Sequence, residues 1–289
     1  MSGQKSAICT KRFVEMQPAD KQKKLLSYLS PTGQEQYQKL PKLQTTPLED
    51  LELSGLLGKI HPSHFVSILS PLAHEVKVAY LSALSHHLRN ELANLLSITD
   101  SFYEYTPEFR EVILEKILSL LSEGQPSILP FSYFPDHPLL CLVKADGIEI
   151  STLCCFLGLF DLADEIRTLI DGKLLKKLEE ALSPDELSLI GEISSKRMGK
   201  VPFGKIGLSH WNGEVHLLRG VIKERGINRL AKALCQSFSD LIWMVEHIMD
   251  AKMKMEFQRY RVEMGDRKQV DLLIEQVKFC WDKVCIHSH

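Results

Sequence analysis

The stretch 78-VAYLSALSHHLRNELANLL-96 decides how the fold is read. Its apolar residues recur at three- and four-residue intervals on both sides of a polar break. That is the period of amphipathic helices, not the alternation of a strand. The first half ends on Ala83-Leu84, a short polar turn follows, and the apolar pattern resumes at Leu88, four positions past Leu84. The same design returns in 174-LLKKLEEALSPDELSLIGEI-193 around Ala181-Leu182, where the following leucine, Leu187, is shifted by one. It returns again in 228-NRLAKALCQSFSDLIWMV-245 around Ala233-Leu234, with Phe238 in the place of Leu88. A small alanine lets two helices approach closely, and the leucines fill the layer between successive pairs. Helical solenoids bury in this way the faces that a single unit leaves bare. The three segments predict an all-α chain with internal structural repetition.

Other segments agree. Thr106-Pro107-Glu108 is a helix start, with proline just inside the first turn and an acid beside it; the apolar residues Val112, Ile113, Ile117, Leu118, Leu120 and Leu121 follow. Leu272, Leu273, Val277, Cys280, Trp281 and Val284 make one apolar stripe. Only residues 141–143 and 148–150, around Asp146-Gly147, offer a strand-like reading. Two connectors interrupt the helices. Residues 124–138 hold Pro126, Pro130, Pro135 and Pro138, too dense for a helix interior. Residues 200–209 hold Pro202, Gly204 and Gly207. The chain therefore divides into a polar, partly helical segment at 1–48, a helical domain at 49–124, a linker with a central helical repeat at 125–200, and a final helical domain at 201–289.

The 289 residues are 44% hydrophobic and 25% charged, enough to bury a core without disulfides or a metal. A net charge of -2 offers no general attraction to nucleic acid. The seven cysteines are odd in number and include no C-x-x-C pair, which predicts reduced thiols in a cytoplasmic protein. The first residues lack the apolar core of a signal peptide. The apolar run at residues 153–160 falls well short of the ~20 residues that span a bilayer, so contact with a membrane is expected to go through partners.

Residues 52–123 and 201–284 resemble the middle and C-terminal domains of the FliG family of bacterial flagellar motor-switch proteins. In the first region 60-IHPSHFVSIL-69 keeps His61 and Pro62 at the centre of the family's Glu-His-Pro-Gln motif, with Ile60 for its acid and Ser63 for its amide. Leu88-Arg89 matches its Leu-Arg after the turn, and 106-TPEFREVILEKI-117 its proline-started helix. In the second region Leu234, Met249, Met264-Gly265, Val270 and Gln276-Val277 match the order of landmarks in the family's last domain, and 201-VPFGKI-206 lies at its aromatic hinge. The resemblance implies armadillo-like helical repeat domains joined by linkers, and a ring subunit at the base of a membrane-embedded apparatus. It also implies a docking edge for a ring partner at His61, Pro62, Ser63, His64 and Phe65, and an interaction helix carrying Arg219, Lys223 and Arg225. Where the family has two adjacent aspartates for its stator contact, this chain has His210-Trp211; only Arg219 keeps its place. Without that acid pair the opposite-charge contact is gone, and a type III secretion apparatus fits better than a rotating switch.

No nucleophile elbow, phosphate loop, dinucleotide fingerprint or zinc-protease motif is present. His86 and His87 are adjacent and diverge on a helix, and Cys285, His287 and His289 lie at a terminus, so no metal or cofactor is expected. The basic stretch Lys252, Lys254, Arg259, Arg261, Arg267 and Lys268 is interleaved with Glu256, Glu263 and Asp266, suited to an acidic partner or simply to solvent. The expectation is a non-enzymatic adaptor subunit of a cytoplasmic ring, homo-oligomeric in its assembly and peripheral to the inner membrane through its partners. The alternative is a stand-alone helical adaptor or chaperone for one client.

Overall fold

A computed structural model describes residues 2–41, 52–122, 131–196, 201 and 203–287. Their regular structure is helical, without a β-strand. The chain divides into two compact units, Met1–Leu140 with Phe238–Leu241, and Cys141–Ser237 with Ile242–His289.

The first unit carries α1 (Ser2–Glu15), α2 (Ala19–Ser27), α3 (Pro31–Lys39), α4 (Leu53–Gly58), α5 (Pro62–Leu69), α6 (His74–Ala83), α7 (His86–Leu95) and α8 (Pro107–Leu121). Three of these open with proline behind a side-chain cap. Ser30 accepts from the Gly33 N–H, His61 from the Ser63 N–H and Thr106 from the Phe109 N–H, each satisfying a donor that the first turn leaves unpaired. Helix α8 is the spine of this unit, packing on α4, α5 and α6. Its buried side is Ile113, Leu114, Ile117 and Leu121. Val112, expected in that stripe, is 60% exposed because it sits on the opposite flank of the helix. A short 3-10 turn, Phe131–Tyr133, packs against α1. Phe131 meets Phe134 edge-on, and Phe134 in turn meets Phe238, each at 5.1 Å between centroids.

In the second unit the strand-like reading around Asp146 fails. Residues 141–143 lie in a 3-10 turn, Leu140–Lys144, and residues 148–150 open α9 (Gly147–Ile166). The reason is local. The Glu149 N–H donates to Asp146 Oδ1 at 2.8 Å and the Asp146 N–H donates back to Glu149 Oε2 at 2.9 Å, a reciprocal cap that starts a helix. Then follow α10 (Gly172–Ala181), α11 (Pro184–Ser195), α12 (Val215–Ala233), α13 (Ser239–Ile248, whose first residues group with the first unit), α14 (Ala251–Tyr260) and α15 (Arg267–His287). Helix α9 contains the apolar run at residues 153–160 and is buried on nearly every side by α11, α12 and α15. No described helix is long and apolar enough to cross a membrane. Segments 125–200 and 201–289, separated in the sequence reading, contribute α9 and α12 to one core. The sequence boundaries near 48, 124 and 200, with residues 123–130 and Pro202 of the connectors, fall outside the described residues.

The three Ala-Leu pairs each close a helix. Ala83 and Leu84, Ala181 and Leu182, and Ala233 and Leu234 are all buried. In the first two, leucine is an extended residue, a serine follows, and the next helix begins immediately; Leu234 remains helical and its turn is longer. Both extended corners share a further detail. The last-turn alanine carbonyl accepts a hydrogen bond from an arginine of a later helix: Arg110 to Ala83 at 2.6 Å, Arg219 to Ala181 at 3.1 Å. Each arginine satisfies a carbonyl that a helix end leaves open and places a cation at the negative end of its dipole.

Helices α9 and α12 touch backbone to backbone. A Cβ built on Gly158 would lie 1.9 Å from the Ile222 carbonyl oxygen, and one on Gly226 would lie 1.6 Å from that of Cys154. Gly220, also in α12, has open space where its Cβ would be. Gly158→Ala and Gly226→Ala are expected to destabilise the chain by about 2–4 kcal/mol each, through forced separation of the helices. Gly220→Ala is expected to stabilise by up to about 1 kcal/mol, as glycine leaves an exposed helix interior. Urea denaturation of the three variants checks this ordering.

Candidate protein-interaction site

Helix α12 has two sides with different chemistry. Its inner side carries Arg229, 1% exposed, from the stretch NRLAKAL. The guanidinium donates to Asp161 on α9 through two nitrogens, at 2.6 and 3.3 Å, and to Gln276 Oε1 on α15 at 2.6 Å. Phe160 and Phe203 lie against it at 5.4 and 4.7 Å from its central carbon. Burial pushes the Asp161 carboxyl above its usual pKa, against the pull of Arg229. The fork geometry and the glutamine leave little of either charge uncompensated. Asp161 directly follows the apolar run of α9; once buried an acid there needs a partner, but its burial is decided by the tertiary structure.

One turn further along α9, Glu165 accepts from the N–H groups of Ile206, Gly207 and Leu208, at 2.6 to 3.2 Å. Gly207 adopts φ +91°, a conformation that glycine tolerates and a side chain resists. With Phe203 on Arg229, this carboxylate fastens the expected hinge segment onto the core. These polar groups are occupied with structure.

The outer side of α12 faces solvent. Its first turns and α14 border a groove of about 380 Å³, lined by His216, Leu217, Gly220 and Val221 with Asp250, Lys252, Met253 and Glu256. A smaller apolar cleft of about 150 Å³ shares Leu217 and Val221 and adds Ile206, Leu208 and Trp211. Val215 and Leu217 are 43% and 48% exposed. The groove mixes apolar floor with charges of both signs, a lining suited to a polypeptide. Asp250 is committed as the cap of α14, accepting from the Met253 N–H at 2.8 Å.

The residues expected to bind partners are distributed unevenly. His61, Pro62 and Ser63 are half-buried at the start of α5, while His64 and Phe65 are buried, Phe65 completely. The first three can meet a partner; Phe65 belongs to the core. Arg219 forms a two-pronged pair with Glu186 at 2.8 and 3.1 Å as well as capping Ala181. Arg225 donates to the Lys205 carbonyl at 2.7 Å, and Lys223 borders the groove. His210 ends a 3-10 turn, Leu208–His210, and Trp211 follows in the loop, its indole N–H donating to the Glu214 carbonyl. They therefore stand outside the helix that carries Arg219.

Nucleophiles are muted. All seven cysteines are free thiols. Burial pushes the thiols of Cys154 and Cys280 far up, and that of Cys141 up to about 11, so they act as small apolar groups. Among the described residues, no three of His, Cys, Asp and Glu converge as metal ligands would.

Two expectations follow. Arg229→Met should cost about 3–5 kcal/mol, because it strands Asp161 in the core; a double change of Asp161 and Arg229 to apolar residues should recover part of it. Glu186 also predicts a pH response. Burial works to raise its pKa, but the Ser183 amide and Arg219 outweigh this, and the net direction is below the usual value of about 4.5. Its stabilisation is complete above the unfolded value and lost as pH falls through the lower folded one. Arg219→Met should cost about 1 kcal/mol near neutrality, discounted for a half-exposed guanidinium, and should flatten the loss of stability below about pH 5. Urea midpoints across that range check both. Comparison of the chain with protein-family models, curated proteins and solved structures found no match.

Proposed function

We propose that this chain is a non-enzymatic adaptor subunit of a bacterial cytoplasmic ring, in a type III secretion or flagellum-related apparatus. It would sit at the inner membrane through partner proteins and repeat as identical copies. The observation that carries this reading is the corner shared by the two units. A helix ends on a buried Ala-Leu, a serine follows, a second helix starts at once, and an arginine from a later helix caps the alanine carbonyl. A corner reused in two bodies supports armadillo-like helical repetition, the architecture that the FliG resemblance implies and that scaffolds use to present long surfaces. The structural employment of Arg229, Asp161 and Glu165, and the buried neutral thiols, support a role without catalysis.

The docking edge of this subunit is assigned to His61, Pro62 and Ser63, the accessible part of the motif. The stand-alone adaptor reading is favoured by one feature, the groove between α12 and α14, which has room for a single client segment.

Affinity capture from native cells with mass spectrometry separates the readings. A ring subunit recovers the ring components of a secretion or flagellar system in many copies; an adaptor recovers one client at one per chain. Ser63→Arg should abolish recovery of the ring partner, with circular dichroism verifying that the variant stays folded. Retention of every ring partner by this variant would remove the docking edge. Phe65→Ala is no test of docking, since emptying a buried aromatic site costs about 3–5 kcal/mol of folding stability.

A further inference from the structure

The charge of this chain is unevenly distributed. Residues 1–41 carry seven basic side chains against three acidic ones, in a chain that totals 35 against 37. Some of these cations are used by the fold. Lys11 is buried and donates to the Leu40 and Pro41 carbonyls, each at 3.1 Å, and Arg12 is buried beside it in sequence. Lys39 lies 3.9 Å from Glu35. Lys21, Lys23 and Lys24 remain, all on α2 and all exposed, and among the described residues no ion pair involves them. Of the nearby acids, Glu15 lies 3.9 Å from Lys11, and Asp20 sits in the first turn of α2, where the helix dipole favours an acid. The corner keeps a positive excess.

Large apolar side chains are exposed at the same corner. Phe13 and Met16, three residues apart at the end of α1, are 57% and 67% exposed, and Tyr28, directly after α2, is 72% exposed. Gln22 ties the two helices together, donating to the Glu15 carbonyl at 3.0 Å and the Gln17 carbonyl at 2.7 Å. Lys21, Lys24 and Tyr28 stand at i, i+3 and i+7, on one face of α2. Helix α2 has no buried residue, and its Leu25 and Leu26 are only half covered. Part-bare leucines, exposed rings and lysines without a partner are the composition of a helix that lies in a membrane interface. Lysine stems follow apolar surface while their ammonium groups reach outward, and aromatic rings settle at headgroup level.

We propose that the corner of α1 and α2 adsorbs directly to an anionic lipid surface, without crossing it. Lys21, Lys23 and Lys24 meet headgroup phosphates, while Phe13, Met16 and Tyr28 enter the boundary between headgroups and acyl chains. Lys23 stands off the face shared by Lys21 and Lys24. Fluid headgroups rearrange to reach lysines on several sides of a convex corner, which the fixed carboxylates of a protein surface do not. The contact adds to any attachment through partner proteins and does not depend on the ring reading.

Co-sedimentation of the full chain with lipid vesicles tests it. Vesicles of phosphatidylcholine mixed with phosphatidylglycerol should bind the wild type at low salt, and vesicles of phosphatidylcholine alone should bind it far less. Each basic residue near an anionic surface contributes about fivefold to partitioning, so Lys21→Gln with Lys23→Gln and Lys24→Gln should weaken binding about a hundredfold. Phe13→Ser with Tyr28→Ser should also weaken it. Lys252→Gln with Arg259→Gln, which removes two exposed cations elsewhere, should leave it unchanged. Circular dichroism verifies that the variants stay folded, and anionic vesicles should slow hydrogen exchange in α1 and α2. A wild type that ignores anionic vesicles overturns the contact. So does a triple-lysine variant that binds as the wild type does, or protection that falls only outside α1 and α2. If vesicles are ignored while the triple-lysine variant loses a protein that the wild type captures from cells, the corner belongs to a protein partner and the lipid contact falls. The vesicle assay uses the purified chain, so failure to capture ring proteins leaves its result standing.

Discussion

The crossing of α9 and α12 is the constraint on which the second unit depends. Two glycines, Gly158 and Gly226, bring the backbones within reach of each other's carbonyls. At that separation there is no space for a slip along the helix, and Arg229 adds a chemical reason against one. Moving α12 by one residue would rotate its face by about 100° and leave a buried cation without Asp161 and Gln276. Steric fit sets the distance, and the ion pair sets the register. Nearby features follow from this arrangement. Phe203 covers the guanidinium, Glu165 holds the loop behind it, and α15 closes over the other side with Gln276.

The consequence for function is a division of labour along α12. On the inside, Arg229 is paired with Asp161 and Gln276, and Glu165 with three backbone N–H groups. The outside is left with side chains that suit contact with protein: Val215, Leu217, Trp211 and the mixed charges of the groove. The first unit shows the same separation on α8. Its inner stripe holds four helices together, while Phe109, Val112 and charged side chains of both signs face outward. The adaptor role proposed above would use this combination of a packed interior and chemically distinct faces.

Some of this was legible in the sequence from particular residues. Asp146 and Glu149 announce a reciprocal cap, although the flanking apolar triplets suggested strands; the short-range hydrogen bonds outweigh a weak alternation. The Ala-Leu pairs were visible as helix ends, but their arginine caps were not, because Arg110 is 27 residues from Ala83 and Arg219 is 38 from Ala181. Phe65 looked available as part of a docking motif. Its complete burial depends on how α5 turns against α7 and α8, which the motif alone does not encode.

The sequence by itself determined the all-helical class, the places where helices start, and the charge and thiol content that the folded chain inherits. These are consequences of interactions between residues a few positions apart, where period and capping chemistry suffice. Only the tertiary structure decided that Gly158 and Gly226 meet backbones while Gly220 meets nothing, that Asp161 belongs to Arg229, and that residues 141–196 share a core with the last helices. Those facts depend on groups brought together from distant parts of the chain. A glycine or a lone acid reads the same locally whether it faces a neighbouring helix or water.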